Sequence, residues 1–275
     1  MSLITQIQQS QIPLIMGILN VTPDSFSDGG QFTRIDKALI QVEKMLNEGA
    51  DIIDVGGEST RPGACIVSIE EERQRVVPVI QAIKREFDVW VSVDTSKPDV
   101  MQQSVDVGAD LINDVRALTE PNALETAVKC QKPVCLMHMQ GQPQNMQDNP
   151  QYSLVVNDVT QYLAERAQVC IEAGIDRQQI LIDPGFGFGK TAQDNFKLLN
   201  QLNSLTELGY PILAGLSRKR MIGEATGQDV EKRIYGSAAG ALICAQKGAK
   251  IIRVHDVEAT RDVLAVWHHT QINKN

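Results

Sequence analysis

Six polar residues in this chain follow directly on short apolar runs: Asn20, Asp94, Asn113, Asp183, Ser217 and His255. Arg253 stands two residues before His255, and Lys219 two residues after Ser217. These residue types divide by what they bind. A carboxylate accepts two parallel N–H donors, and charge-assisted pairs of that kind are strong. An asparagine both donates and accepts, which suits a flat ring carrying both kinds of group. An arginine presents a fixed fork that fits phosphate oxygens. Any one of the six could simply cap the helix that follows it. Six together, with two cations beside them, point to a shared site.

A shared site needs elements that carry these residues to one place. Apolar runs at residues 14–19, 52–55, 89–93, 111–112, 133–137, 180–182, 211–216 and 251–254 read as strands, with amphipathic stretches between them. In the first such stretch Ile35, Ala38, Leu39, Val42, Met45 and Leu46 follow helical spacing. Thr33 with Asp36 reads as its capping box, and Gly49 closes it. Ser68 with Glu71 starts the next helix, and Pro98 suits a first helical turn, where a missing N–H does no harm. The last two helices carry Ala238, Ala241, Leu242 and Ala245, then Val263, Val266 and Trp267. Continuous apolar strands alternating with helices mean a parallel sheet covered on both faces. Eight such units in 275 residues give an α/β fold, a (β/α)8 TIM barrel of one domain spanning residues 1–275. An open doubly wound sheet is the alternative. In a barrel the carboxyl ends of the strands converge on one mouth, where active sites lie.

Composition narrows the partners. With 43% apolar and 22% charged residues the chain is an ordinary globular one. A net charge of −8 leaves no basic footprint for nucleic acid, so positive charge for an anionic substrate must be local. Five cysteines without C-x-x-C spacing read as reduced core thiols. Residues 1–11 contain no Lys or Arg, so no signal peptide is expected. The apolar run at 12–19 is broken by Pro13 and Gly17, far short of the roughly 20 residues a membrane span needs. A cytoplasmic location is expected. His138 and the His268–His269 pair read as structural or surface residues, and residues 140–152 as a surface loop.

The glycines from Gly185 to Gly189 invite two misreadings. A P-loop ending in Gly189-Lys190-Thr191 needs a glycine where Pro184 stands. Gly187, Gly189 and Ala192 match a dinucleotide fingerprint only loosely, and in the sixth βα unit rather than the first. A tight turn, or close approach of backbone to a flat ligand, is the better account.

The loops together resemble one family. Gly17-Ile18-Leu19-Asn20-Val21-Thr22-Pro23-Asp24-Ser25-Phe26-Ser27-Asp28-Gly29-Gly30 and Gly56-Gly57-Glu58-Ser59-Thr60-Arg61-Pro62-Gly63-Ala64 are long and specific. Val93-Asp94-Thr95, Ile112-Asn113-Asp114, Met137-His138-Met139, the stretch from Asp183 to Phe188, Ser217-Arg218-Lys219 and Arg253-Val254-His255 follow in order. The set is similar to the dihydropteroate synthase family, which condenses 6-hydroxymethyl-7,8-dihydropterin diphosphate with 4-aminobenzoate and is inhibited by sulfonamides. The resemblance implies a pterin pocket at Asp94, Asn113, Asp183 and Lys219, with Met137 and Phe188 as packing surfaces. It implies a diphosphate site at Asn20, Arg61, Arg253 and His255, with Mg2+ reached through Asn20. Aminobenzoate is expected between Thr60, Arg61, Pro62, Phe26, Ser217 and Lys219. The resemblance also implies mobile loops near residues 21–33 and 57–67, and a homodimer joined through the seventh and eighth barrel helices. The second loop carries no obvious insertion, so sulfonamide sensitivity is the default expectation.

The chemistry agrees with this placement. Breaking a C–O bond to diphosphate builds negative charge on the leaving group, which calls for cations aimed at it. Arg61, Lys219, Arg253 and His255 are the groups expected to carry that step. Mg2+ takes few protein ligands when a diphosphate supplies others, so one ligand such as Asn20 is enough. A related pterin barrel that passes a methyl group to a corrinoid would share Asp94, Asn113 and Asp183. It has no use for the Ser59-Thr60-Arg61-Pro62 loop or the Arg253–His255 pair. A barrel that binds without turning over is the other alternative.

Overall fold

The structure is a computed structural model, which describes residues 1–22, 31–59, 67–141, 146 and 150–273. Eight parallel strands close into a barrel in chain order: β1 Leu14–Asn20, β2 Ile52–Gly56, β3 Trp90–Asp94, β4 Leu111–Asp114, β5 Val134–Met137, β6 Ile180–Asp183, β7 Ile212–Ala214 and β8 Ala249–Val254. β8 returns to β1, with Leu14 opposite Ile251 and Met16 opposite Arg253. That closure removes the open-sheet alternative.

Helix α1 (Leu3–Gln9) precedes β1. Then α2 (Gln31–Glu48), α3 (Ile69–Glu86), α4 (Pro98–Asp106), α5 (Ala123–Cys130), α6 (Val155–Glu172) and α7 (Ala192–Asn200) each follow one strand. Two helices, α8 (Arg220–Thr226) and α9 (Ile234–Gln246), follow β7, and α10 (Val257–Ile272) follows β8. The Ser68 hydroxyl accepts from the Glu71 N–H at 3.2 Å and caps α3, and Pro98 opens α4, as expected. Helix α2 begins two residues before Thr33, so Thr33 lies in its first turn rather than at its cap. Helix α1 is not signalled by the sequence reading, because seven residues are too few to display a period.

The strands' alternation sorts their side chains into two cores. Ile53, Val55, Val91, Val93, Ile112, Leu136, Ile182, Ile252 and Val254 face outward into the layer shared with the helices. Leu14, Met16, Ile52, Leu111, Cys135, Leu181, Leu213 and Ile251 face inward and form an apolar floor, onto which α1 presses Leu3, Ile4 and Ile7. One pleat further on, the inward positions become Asp54, Ser92, Asn113, Asp183 and Arg253, because successive inward residues on a strand lie two apart. The polar layer therefore rests directly on the floor.

Among the described residues no helix is long and apolar enough to cross a membrane. Cys130, Cys135, Cys170 and Cys244 are free and buried.

Candidate active site

Arg253 lies in the polar layer between two carboxylates. Its Nε donates to Asp54 Oδ2 at 2.6 Å, and its Nη2 donates to Asp94 Oδ2 at 2.7 Å. Asp54 is 0% exposed and also accepts from Asn113 Nδ2 at 3.3 Å. Asp54, Asn113, Asp94 and Arg253 thus form one network across β2, β3, β4 and β8. The rim register continues it: Asn20 pairs with Gly56, Gly56 with Asp94, and Asp94 with Asn113. A Cβ on Gly56 would touch the Asp94 side chain at 3.5 Å.

On the opposite side stands the turn after β6. Asp183 is buried, and its Oδ1 accepts from the Gly185 N–H at 2.7 Å. Lys219 Nζ donates to the Phe186 carbonyl and sits 4.5 Å from the centre of the Phe188 ring, a cation–π separation. Met137 and Phe188, the packing surfaces that the family resemblance implies, share a small apolar cluster with Met146. Ser217 Oγ lies 3.1 Å from His255 Nδ1 and accepts from the His255 N–H at 3.2 Å. The loop that carries Ser217 and Lys219 is braced by Arg218, to which sequence reasoning gave no role. Its Nε donates to Asp256 Oδ2 at 2.9 Å, and its own N–H donates to Ser237 Oγ at 2.9 Å.

Burial sets the electrostatics. It raises the Asp94 carboxyl despite the neighbouring Arg253 guanidinium, and Asp54 and other acids add to the rise. Burial also raises Asp183, against the lowering influence of Lys219 and the Gly185 N–H. Lys219 is lowered to about 8, first by burial and in spite of Asp183. Burial opposes the charge on Arg253, but Asp54 and Asp94 outweigh it and hold the guanidinium protonated. Burial disfavours the charged carboxylates, and each has lone pairs beyond the one that its donor, Arg253 or the Gly185 N–H, occupies. A ligand bringing further N–H groups would stabilise their charge, so the site suits an amino-substituted heterocycle.

The structure brings together Asp94, Asn113, Arg253, Asp183, Lys219, Phe188, Met137, Ser217 and His255, with Asn20 on the same rim. His138 is structural, as expected: it is buried, with its ring edge-on to Tyr162 at 4.9 Å. Phe26, Thr60, Arg61 and Pro62 lie outside the described residues. The residues flanking Thr60 and Arg61 are held firmly. Glu58 Oε1 accepts from the Val67 N–H at 3.0 Å, Lys97 Nζ donates to Glu58 Oε2 at 2.7 Å, and Arg75 Nη1 donates to the Gly57 carbonyl at 2.7 Å.

Sequence reasoning missed Asp54 and Lys190. Asp54 stands within an apolar strand rather than at its end; its signal is the spacing of two from Gly56. Lys190 was set aside with the failed P-loop.

Among the described residues no group of three or more His, Cys, Asp or Glu could hold a metal. Asn20, the oxygen donor that the family resemblance assigns to Mg2+, stands at the carboxyl end of β1 opposite Gly56. That donor set suits Mg2+ carried largely by a substrate's phosphate oxygens, which commonly keeps several waters, and does not suit an all-protein cage.

A family model described as pterin binding enzyme matches residues 16–255. The dihydropteroate synthase of Haemophilus influenzae is 62% identical over 259 residues, covering 94% of each chain. The crystal structure of Yersinia pestis dihydropteroate synthase in a sulfonamide drug complex matches with a TM-score of 0.91 and 50% identity over 95% of each chain. Xanthomonas albilineans dihydropteroate synthase with 4-aminobenzoic acid matches at 0.90 and 52%, covering 95% of this chain and 94% of that one. The chain belongs to the dihydropteroate synthase family of pterin-binding enzymes.

Proposed function

We propose that the protein is a dihydropteroate synthase, a transferase that joins 6-hydroxymethyl-7,8-dihydropterin diphosphate to 4-aminobenzoate and releases diphosphate. The observation that carries this reading is one mouth in which a buried carboxylate, Asp183, faces an apolar wall of Met137 and Phe188 while Arg253 and Lys219 supply positive charge. Relatives of the same family hold 4-aminobenzoic acid and a sulfonamide.

In this reading Asp183 accepts from the amino-pyrimidinone edge of the pterin, and Asn113 and Asp94 meet the rest of the ring. Phe188 and Met137 cover its faces. The C–O bond to diphosphate breaks, its electron pair leaves with the diphosphate, and the pterin ring nitrogens share the positive charge left on carbon. The aminobenzoate nitrogen then forms the C–N bond and loses a proton to water. Arg253, His255 and Arg61 stabilise the departing charge, a contribution that grows in the transition state. Asn20 would hold Mg2+, which when bound neutralises part of the diphosphate charge. Thr60, Arg61, Pro62, Phe26, Ser217 and Lys219 would surround the aminobenzoate.

The whole chain, residues 1–275, works as one barrel domain. Buried free thiols are in keeping with a reducing, cytoplasmic setting. Outward apolar side chains on α9 and α10, Tyr235 at 88% and Val266 at 69% exposure, favour a homodimer through these helices.

Purified protein given both substrates and Mg2+ is expected to release diphosphate in step with dihydropteroate. A sulfonamide should compete with aminobenzoate, and a chelator should stop the release. Absence of diphosphate release with all three components present would overturn the assignment.

A further inference from the structure

Lys190 is 2% exposed, and the reaction described above makes no use of it. Its Nζ has four partners: the Gly185 carbonyl at 2.8 Å, His138 Nδ1 at 2.9 Å, the Phe188 carbonyl at 3.1 Å and the His138 carbonyl at 3.3 Å. A charged Lys190 carries three donors and no acceptor, so in that form Nζ donates to backbone oxygens and His138 Nδ1 accepts on a neutral ring. Burial lowers Lys190 to about 7, with Asp183 opposing. Burial, with Lys190 beside it, holds His138 down to about 3.

What these bonds hold together is the pterin side of the mouth. The Gly185 peptide gives its oxygen to Lys190 and its N–H to Asp183 Oδ1. The His138 N–H donates to the Asp183 carbonyl at 3.0 Å. Phe188, whose carbonyl is bound by Lys190, presents its ring to Lys219, and the carbonyl of Phe186 receives Lys219 Nζ. The packing leaves little slack: a Cβ on Gly185 would lie 1.9 Å from the His138 oxygen, and one on Gly189 would lie 2.3 Å from the Gln140 oxygen.

We propose that Lys190 is a positioning residue for this reaction: from behind the site its ammonium clamps the Gly185–Phe188 turn onto the end of β5 and so fixes the Asp183 carboxylate and the Phe188–Lys219 pair for the pterin ring. The proposal rests on the pterin reading of the site. It gives the lysine of the failed P-loop a task, with carbonyl oxygens as its ligands in place of phosphate.

The test compares wild type with Lys190→Met, which keeps length and removes charge. His138→Leu removes one partner of the ammonium and serves if Lys190→Met does not fold. His138→Gln retains an acceptor and is the rescue. Hydrogen exchange at residues 185–190 reads the clamp without any ligand. It is expected to quicken at least tenfold in Lys190→Met or His138→Leu while residues 250–254 hold their rates; unchanged exchange would overturn the clamp. Calorimetry with pterin diphosphate reads the positioning. The Kd should weaken tenfold or more, and His138→Gln should remain within threefold of wild type. Faster exchange with an unaltered pterin Kd would mean that the clamp only stabilises the fold, and would overturn the positioning role. Wild-type protein that bound no pterin diphosphate would refute the pterin reading and, with it, that positioning role; the clamp would still be judged by exchange alone.

Discussion

Arg253 spends Nε on Asp54 and Nη2 on Asp94, and its five N–H donors leave others to meet a phosphate. Asp54 therefore sets where the fork points. Asp54→Asn keeps shape and loses charge, and a charged hydrogen bond of this kind is worth about 1.5–3 kcal/mol. The variant is expected to lose about 10- to 150-fold in kcat/KM for pterin diphosphate; steady-state rates near wild type would remove Asp54 from the site. Lys219 gives a pH signature. Burial lowers it to about 8, so raising the pH through that value discharges the cation. The kcat/KM profile, which reports the free enzyme, should fall on that basic side. In Lys219→Arg, where the cation persists to far higher pH, the falling limb should move upward, and a limb left in place would assign it to another group. Asp94, Asn113 and Asp183 were legible because each is a polar residue ending an apolar run, and Lys219 and Arg253 because each lies two residues from such a position. Asp54 was not, since its neighbours Ile53 and Val55 make it look like an interruption of a strand. Burial beneath Arg253 is a tertiary fact that spacing alone does not show.

At the scale of elements, the turn after β6 decides how the pterin face is shaped. Gly185 has φ +67° and Gly227, after α8, has φ +69°, but a Cβ at Gly185 meets the His138 carbonyl oxygen whereas one at Gly227 meets nothing within 4 Å. Gly227→Ala should cost only the left-handed backbone penalty of about 1–2 kcal/mol. Gly185→Ala should cost clearly more, and should weaken pterin binding as well. Thermal unfolding and calorimetry check both, and equal losses at the two positions would contradict the close approach. The strands themselves were legible to within a few residues, because a sheet buried on both faces writes continuous apolar runs. Their outward and inward halves were not separable from the sequence, since both are apolar up to the polar layer. The α1 plug was missed for a related reason: Leu3, Ile4 and Ile7 declare themselves only against the barrel floor. Ile7, fully buried there, gives the check. Ile7→Ala should lose about 2–5 kcal/mol of stability with the KM values unchanged, and an unaltered melting temperature would mean that α1 does not seal the floor.

The whole molecule is acidic, at −8, yet its mouth must attract a diphosphate. Closing the barrel resolves this by placing Arg253 and Lys219 on one rim while the acids spread over the outside and the buried layer. Such a local field is screened by salt over roughly 10 Å at 0.1 M, so the KM for pterin diphosphate should rise between low and high salt more than that for aminobenzoate, which carries less charge. Equal shifts would indicate a general effect of salt on the protein. The closed cylinder was legible as a count of eight units and the ligands through the loop segments that resemble the dihydropteroate synthase family, whereas the contacts among the side chains in the mouth were not. The most direct measurement is a crystal structure of the protein soaked with 7,8-dihydropteroate. The pterin edge is expected on the Asp183 carboxylate with its ring against Phe188 and Met137. A product molecule bound elsewhere, or seated in the mouth with Asp183 beyond hydrogen-bonding reach, would contradict the account.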